Sequence, residues 1–408
     1  MPELSHLRPP RSISRPPRLH RLTVGLLALF ATLFWASPLR AALPDDLTQA
    51  LEALQRAEQQ EPYALREHWR IVARADASEL PRILQTMNAA DPTGANWLTM
   101  AIDAVLEHDS SNKTQVQRTL TDFLLDTNNA AIARKTALAA LQRVEPEAAQ
   151  DVALQLIDDP VSELRRPGVA ARLEKATALA ESGATQETQL AAYREALKHA
   201  RDADQVKAIA KAMDELGSPV KLADHFGYLQ QWRIAGPFEN AKGSGFDQAY
   251  PPEKLDLTSG KVATELPRSD GESPEGWRAF TAEEDTGNVD LNKAIRPVEQ
   301  GIAYGLAEFD YQGDAQVEIR FQVQNSFKCW LNGELIYSQP IGHTGNFFDQ
   351  YQVPVKLKQG ANVLLIKSCQ TEPLQDIDWF KVWQFAVRLT DSTGAAIDFT
   401  QASQGNAK

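Results

Sequence analysis

Between residues 315 and 369 the chain alternates apolar and polar positions with the period of a β-strand. Val317, Ile319, Phe321 and Val323 interleave with Glu318, Arg320, Gln322 and Gln324, which predicts a strand with one buried face. Phe327, Cys329 and Leu331 keep that phase up to Asn332-Gly333, a dipeptide that favours the two-residue turn of a hairpin. Tyr351, Val353, Val355 and Leu357 make the next alternating run. Residues 358–360 then turn the chain into a strand over 363–366. Trp379 and Trp383 with Phe385, Val387 and Leu389 alternate in the same way and are expected in the core. A meander of this kind is half of a β-sandwich.

From residue 45 to about 226 the period changes. Apolar residues recur at spacings of three and four, the stripe of an amphipathic helix. Leu47, Leu51 and Leu54 line one helix; Leu65, Trp69 and Val72 line the next, with Pro62 in its first turn, where a missing N–H costs nothing. Further stripes are Leu80, Ile83, Leu84 and Met87; Leu98, Ile102, Val105 and Leu106; and Val116, Leu120, Phe123 and Leu124. The breaks at 91–94 and 109–112 are short and polar, so successive helices should pack as antiparallel neighbours. The run 158–166, DDPVSELRR, resembles the turn and second-helix start of a HEAT repeat, with Asp159 suited to the N-cap, Pro160 to the first helical position and Glu163 to N3. The segment 191–217 is similar to a tetratricopeptide hairpin, closed by Gly217 just past its last turn. The class these imply is an α-solenoid of stacked helical hairpins; a compact helical bundle is the alternative.

Between residues 236 and 297 Gly and Pro become frequent and apolar runs rare. A structureless linker of that length would be unusual between packed elements, and the stretch contains anchors: Trp232 and Ile234 before GPFEN, Phe246 and Tyr250 around Pro251-Pro252, and Trp277 with Phe280. We read 228–235 as the first strand, the following residues as an elaborated loop region packed on the sheets, and 306–311 as the start of the continuous sheet. The fold expected is α+β and multidomain. An N-terminal α-solenoid spans 42–226, an antiparallel β-sandwich of jelly-roll type spans 227–400, and 401–408 is a tail.

The N-terminus reads as an address. Five arginines between residues 8 and 21 precede an apolar stretch over 22–36 and a small-residue exit at Ala41-Ala42, the order of a secretory signal peptide. The apolar stretch is shorter than the ~20 residues of a membrane span. Arg40 just before the expected cut is untypical, and an uncleaved anchor is the alternative. Residues 1–41 hold six Arg and one Glu, so the chain beyond them carries 36 Lys and Arg against 53 Asp and Glu. Its formal net charge is −17, against −12 for the whole chain. Such a surface repels nucleic-acid phosphates and anionic lipid.

The segments YLQQWRIAGPFEN, GFDQAYPPE, TGNVDLN, IAYGLAEFD, FKCWLNGELIY, DQYQVPVKLKQGANVLLIKSCQ and WQFAVRLTDSTG occur in that order. Over about 202–399 the chain resembles uncharacterised secreted bacterial proteins that pair helical repeats with a galactose-binding-like jelly roll. The WLNG hairpin is also similar to sugar-binding jelly rolls attached to glycoside hydrolases. The resemblance implies a ligand-binding or structural module without hydrolytic activity of its own, and a structural calcium is common in such domains.

Candidate chemistry is sparse. Cys329 shares the buried phase of Phe327 and Leu331, whereas Cys369 shares its phase with Lys367; a disulfide needs converging Cβ vectors and stays open on this pattern. The acidic run 283–290 offers oxygen ligands to calcium but lacks the spacing and terminal bidentate Glu of an EF-hand, so a solvated turn competes with a metal site. His343 has no Ser or Cys in a nucleophile-elbow context beside it. The aromatic residues carry the ligand hypothesis. Trp330 is in the opposite phase to Phe327 and Leu331, so its indole either forms a flat platform, with Asn332 or Asp349 at the rim, or lies beneath the Trp277 region. The candidate ligand residues are therefore Trp330, Asn332, Asp349 and Trp277. The expected protein is a non-catalytic periplasmic or secreted binding or scaffold protein, without a cofactor, that meets protein partners through its helices and a glycan through its β domain. The competing expectation is a glycan-active envelope enzyme.

Overall fold

The structure, a computed structural model, describes residues 46–108, 112–263, 265–266, 276–313, 316–371 and 381–401. The proposed signal peptide, the tail after residue 401 and Trp379 lie outside them. Helices occupy the N-terminal half: α1 (Asp46–Gln55), α2 (Pro62–Val72), α3 (Leu80–Met87), α4 (Pro92–His108), α5 (Lys113–Leu125), α6 (Ala131–Val144), α7 (Pro146–Gln155), α8 (Ser162–Glu181), α9 (Gln186–His199), α10 (Ala203–Glu215) and α11 (Leu222–Phe226). Their apolar stripes bury together, with Leu54, Leu80, Ile83, Leu84, Leu98, Ile102, Leu120 and Leu141 in one cluster. A second cluster gathers Val169, Tyr193, Val206, Ile209 and Phe226. Gly217 follows α10 at φ 72°, and the Ser218 N–H donates back to the Met213 carbonyl at 2.9 Å, so the left-handed residue closes the helix as its position predicts.

One cap differs from the expectation. The helix after the 158–166 run begins at Ser162 with Val161 as N-cap, not at Pro160. The Asp159 carboxylate is instead buried against the Arg134 guanidinium, and its Oδ1 accepts from the Val161 N–H at 2.9 Å. A buried carboxylate beside a guanidinium gains more from that pair than from a helix terminus, and the chain shifts its helix start by two residues to allow it.

Strands follow: β1 (Gln231–Glu239), β2 (Arg278–Thr281), β3 (Val289–Asp290), a short helix α12 (Leu291–Ala294), β4 (Gly301–Tyr311), β5 (Val317–Val323), β6 (Ser326–Leu331), β7 (Glu334–Gln339), β8 (Tyr351–Val355), β9 (Gly360–Gln370), β10 (Gln384–Thr390) and β11 (Phe399–Thr400). They form two antiparallel sheets. The larger runs β2-β1-β4-β9-β6-β7, with β11 also on β4; the smaller runs β3-β10-β5-β8. The sheets face each other across a cluster containing Trp232, Ile234, Phe327, Cys329 and Ile366 from the larger sheet and Ile319, Phe321, Phe385 and Val387 from the smaller. Asn332 (φ 51°) and Gly333 (φ 87°) form the β6–β7 turn, with Leu331 opposite Glu334.

Three strands extend beyond their predicted ends. β1 starts three residues late, at Gln231, but runs on to Glu239, β4 begins at Gly301, and β9 covers 360–370 rather than 363–366. The cause is a second buried face. The outer side of the larger sheet packs Ala235, Phe238, Ile302, Tyr304, Leu306, Val363 and Leu365 against Tyr250, Leu257 and Val262 of the chain that follows β1. A strand buried on both faces loses its alternation, so the period-two signal is blank where the sheet is best covered. The two cysteines fall on opposite faces, Cys329 between the sheets and Cys369 on the outer side. Both are free thiols, as their opposed phases require.

Candidate functional site

Lys367 organises the covered outer face. Its side chain is fully buried, and Nζ donates to the carbonyls of Phe246 (3.0 Å) and Gln248 (2.7 Å) and to Glu253 Oε1 (3.0 Å). The Tyr304 hydroxyl donates to the same Glu253 oxygen, and burial raises its pKa above the usual phenol range. Every ammonium proton therefore has an acceptor, the condition under which a buried lysine stays charged at tolerable cost. Beside it, Arg233 holds Glu308 at 3.1 Å, donates to the carbonyls of Ala263 and Val262 and lies 5.7 Å from the Trp277 ring. These contacts fix the 240–266 segment onto the sheet.

The sequence-predicted ligand residues are not brought together. Trp330 is partly exposed and packs against the covered outer-face cluster. Trp277 is also partly exposed, and its indole N–H is buried without a partner among the described residues. Asn332 closes the hairpin turn: its amide donates to Asn362 Oδ1 at 2.9 Å and its Oδ1 accepts from the Val363 N–H at 3.0 Å. Its carboxamide is thus used in holding the hairpin to β9. Replacing Trp330 by Ala is expected to lower stability by about 2 kcal/mol, from lost apolar burial. A denaturation curve checks this, and glycan affinity should stay unchanged.

Asp349 lies on the other side, on the outer face of the smaller sheet. Its two oxygens accept from Arg388 Nε and Nη2, both at 2.6 Å, and from Arg320 Nη1 at 2.7 Å. Arg388 Nη1 also donates to the carbonyl of Phe226, the last residue of α11, at 3.0 Å. Its guanidinium sits 4.5 Å from the Phe348 ring, and Phe348 packs on Phe226 with centroids 5.3 Å apart. The backbone joins the halves as well, since Leu229 N–H donates to Val387 O and Leu389 N–H to Gly227 O. Asp349 is thus a bolt between the helices and the sheet, held at a left-handed φ of 53°. Its two oxygens are thus already engaged by three guanidinium donors.

His225 occupies the same junction. Its Nε2 is 3.0 Å from the Ala200 carbonyl, which fixes the proton on Nε2. Burial lowers its pKa, the Ala200 carbonyl opposes this, and the Arg201 and Arg388 charges add to the lowering. The unfolded chain therefore takes up a proton below about pH 6.5 that the folded state resists. Stability present above that pH is expected to fall as the pH drops. Melting temperatures at pH 7.5 and 5.5 should differ less in His225→Gln than in the parent protein.

The acidic run 283–290 forms a turn in which Glu283 and Asp290 both reach Lys293 Nζ, at 3.1 and 3.2 Å. Among the described residues no group of three His, Cys, Asp or Glu side chains is placed to hold a metal ion. His343 Nε2 lies 3.1 Å from Thr371 Oγ1 in the loop before β8, and burial lowers its pKa.

Where the helices meet the end of the larger sheet there is a cavity of about 620 Å³, lined by Ala223, Asp224, Gly227, Tyr228, Gln230, Gln231, Asp310, Gln312 and residues 397–401. The C-terminal strand β11 forms one wall and is fastened there by Gln401. Its Oε1 accepts from the Gln230 and Gln231 N–H groups at 2.7 and 3.1 Å, and its Nε2 donates to the Gln231 carbonyl at 3.1 Å. A second cavity of about 510 Å³ shares Asp310, Thr400 and Gln401 with the first and continues past Arg233, Lys261 and Glu308. Sequence reading missed this groove because its polar residues come from four separate stretches. Only the aromatic–polar mix around Tyr228 and the DFTQ run at 398–401 hints at it.

No family model matches the chain, and no curated protein matches it. Among solved structures, selenomethionine-labelled β-glucosidase from Kluyveromyces marxianus is similar at TM-score 0.27 and 17% identity, over 46% of this chain and 22% of that one. The same enzyme in complex with glucose gives 0.26 and 16%, over 46% and 21%. The β-glucuronidase of Faecalibacterium prausnitzii gives 0.25 and 16%, over 40% and 31%. This chain spans about a fifth of the length of the first of them. Likenesses at these scores carry no argument about this protein.

Proposed function

We propose that this is a non-catalytic, secreted or periplasmic binding protein, an α-solenoid followed by a galactose-binding-like jelly roll, that holds a glycan in the groove between them. The observation that carries the reading is the junction cavity. It combines an aromatic wall from Tyr228 and Phe399 with the carboxamides of Gln230, Gln231 and Gln312 and the Thr400 hydroxyl, the mixture of apolar surface and fixed polar groups that suits a hydroxyl-rich ligand. The helical part supports a second contact, to a protein. Tyr63 (76% exposed), Met100 and Ile132 are apolar residues left in solvent along it, the positions offered to such a partner. Among the described residues no helix is long and apolar enough to cross a membrane.

Screening the exported chain on immobilised glycans, followed by titration of the retained ones, tests the binding reading. Retention without release of new reducing ends is the expected result; steady release of reducing ends would favour a glycan-active enzyme. Export is checked separately, and N-terminal sequencing of secreted material is expected to begin near Ala42 or Leu43.

A further inference from the structure

We infer that the junction between the helices and the smaller sheet binds a compact dianion, a sulfate or phosphate group, at the guanidiniums of Arg165 and Arg201. The inference stands apart from the glycan reading and draws on other residues.

Four guanidiniums meet there. Arg320 of β5 and Arg388 of β10 are directly opposite each other in the sheet, an arrangement that costs stability unless the charges are compensated. Asp349 and Glu318 compensate them. The helices close over this face through one apolar cluster that contains Ile157, Ala200, Phe226 and Ala386, and they bring Arg165, in the first turn of α8, and Arg201, between α9 and α10. Burial lowers the pKa of Arg165, Asp202 opposes this, and the Arg320 charge lowers it further. Burial likewise lowers that of Arg201, and the charges of Arg165 and Arg388 add to the lowering. The four cations are thus near enough to repel one another.

Neither Arg165 nor Arg201 contacts a carboxylate among the described residues. Arg165 is 4% exposed, and its Nη1 donates to the Asp159 carbonyl at 2.8 Å. Arg201 Nη1 donates to the carbonyls of Lys198 and Ala200 at 2.7 and 3.0 Å. The Nε of each is buried without an acceptor. A guanidinium keeps its charge even when buried, and buried charges are stable only when paired. The carboxylates nearby are committed elsewhere: Asp159 to Arg134, Asp158 to His199, Asp202 to Ser162 and Arg166, and Asp391 to the N–H groups of its own turn. Two positive charges remain without a contacting carboxylate, which selects a dianion over a single carboxylate. The fork of guanidinium donors matches two oxygens of a sulfate or phosphate, and the partly exposed Arg201 gives the anion its way in.

The test is thermal melting of the full exported chain with sodium sulfate, sodium phosphate or phenyl phosphate added at fixed ionic strength, against chloride alone. Sulfate and phosphate should each raise the melting temperature of the parent protein along a saturable curve, as a ligand of the folded state does. Arg201→Gln, at the partly exposed position, and Arg165→Gln should each weaken the fitted affinity at least about tenfold, the scale of a hydrogen bond to a charged group. His225 supplies a local readout. Its Nε2 shares the Ala200 carbonyl with Arg201 Nη1, and its pKa is lowered by burial and, against that carbonyl, by the Arg201 and Arg388 charges. Bound sulfate offsets those charges and should move the NMR titration of His225 to higher pH. Tighter binding of phenyl phosphate than of phosphate would identify the group as one carried on a larger ligand, and weaker binding would identify it as the free ion. A rise linear in added salt and equal in parent and variants, or no rise with His225 unmoved, would overturn the site. It would leave Asp202, whose Oδ2 is also buried without a partner, as the counter-charge of Arg165.

Discussion

Replacing Asp349 by Ala is expected to destabilise the protein by about 3–5 kcal/mol, the usual cost of removing one partner of a buried ion pair. The carboxylate bridges two guanidiniums whose side chains are only 10% and 3% exposed, Arg320 and Arg388. Without it Arg320 keeps Glu318 at 2.6 Å, whereas Arg388 keeps only the Phe226 carbonyl. The damage should therefore concentrate where the helices meet the smaller sheet. Hydrogen exchange should show faster opening of 222–229 and 386–390, with the α1–α6 core little changed. A uniform loss of protection would mean that Asp349 supports the whole fold and not the junction.

The second large effect is expected at Lys367. Lys367→Met removes the cation from Glu253 and leaves the carbonyls of Phe246 and Gln248 without their donor. A loss of about 3–5 kcal/mol follows from an uncompensated buried carboxylate. The double variant Lys367→Met with Glu253→Gln should recover much of it, because replacing both members of a buried pair is often nearly neutral and the Tyr304 hydroxyl can still donate to the amide oxygen. Chemical denaturation of the parent, single and double variants measures both quantities. A double variant no more stable than the single one would show that Lys367 acts through its backbone acceptors alone.

These two residues illustrate what was legible in the sequence. The division into N-terminal helices and C-terminal antiparallel strands follows from periodicity alone, because each amphipathic helix or half-buried strand writes its own face into its spacing. The Asn332-Gly333 turn, the closure at Gly217 and the opposed faces of Cys329 and Cys369 were readable for the same local reason. Polar residues inside the molecule were not. Lys367 looks like the exposed-face residue of an alternating strand, and only the segment folded over it, distant in sequence, turns that face into an interior. Asp349 and Asn332 looked like ligand groups because carboxylates and amides near an aromatic suit sugars; their partners, Arg388 and Asn362, are identified by register and not by proximity in the chain. The junction groove was least legible, since it exists only where α11, the ends of β1 and β4, and β11 converge.

The most direct test of the account is to map where a glycan retained by the exported chain binds, by hydrogen exchange with and without the ligand. Protection is expected only in 223–231, 310–312 and 397–401, the walls of the junction cavity. Protection centred instead on Trp330 and the β6–β7 hairpin would contradict it and return the ligand to the outer face of the larger sheet.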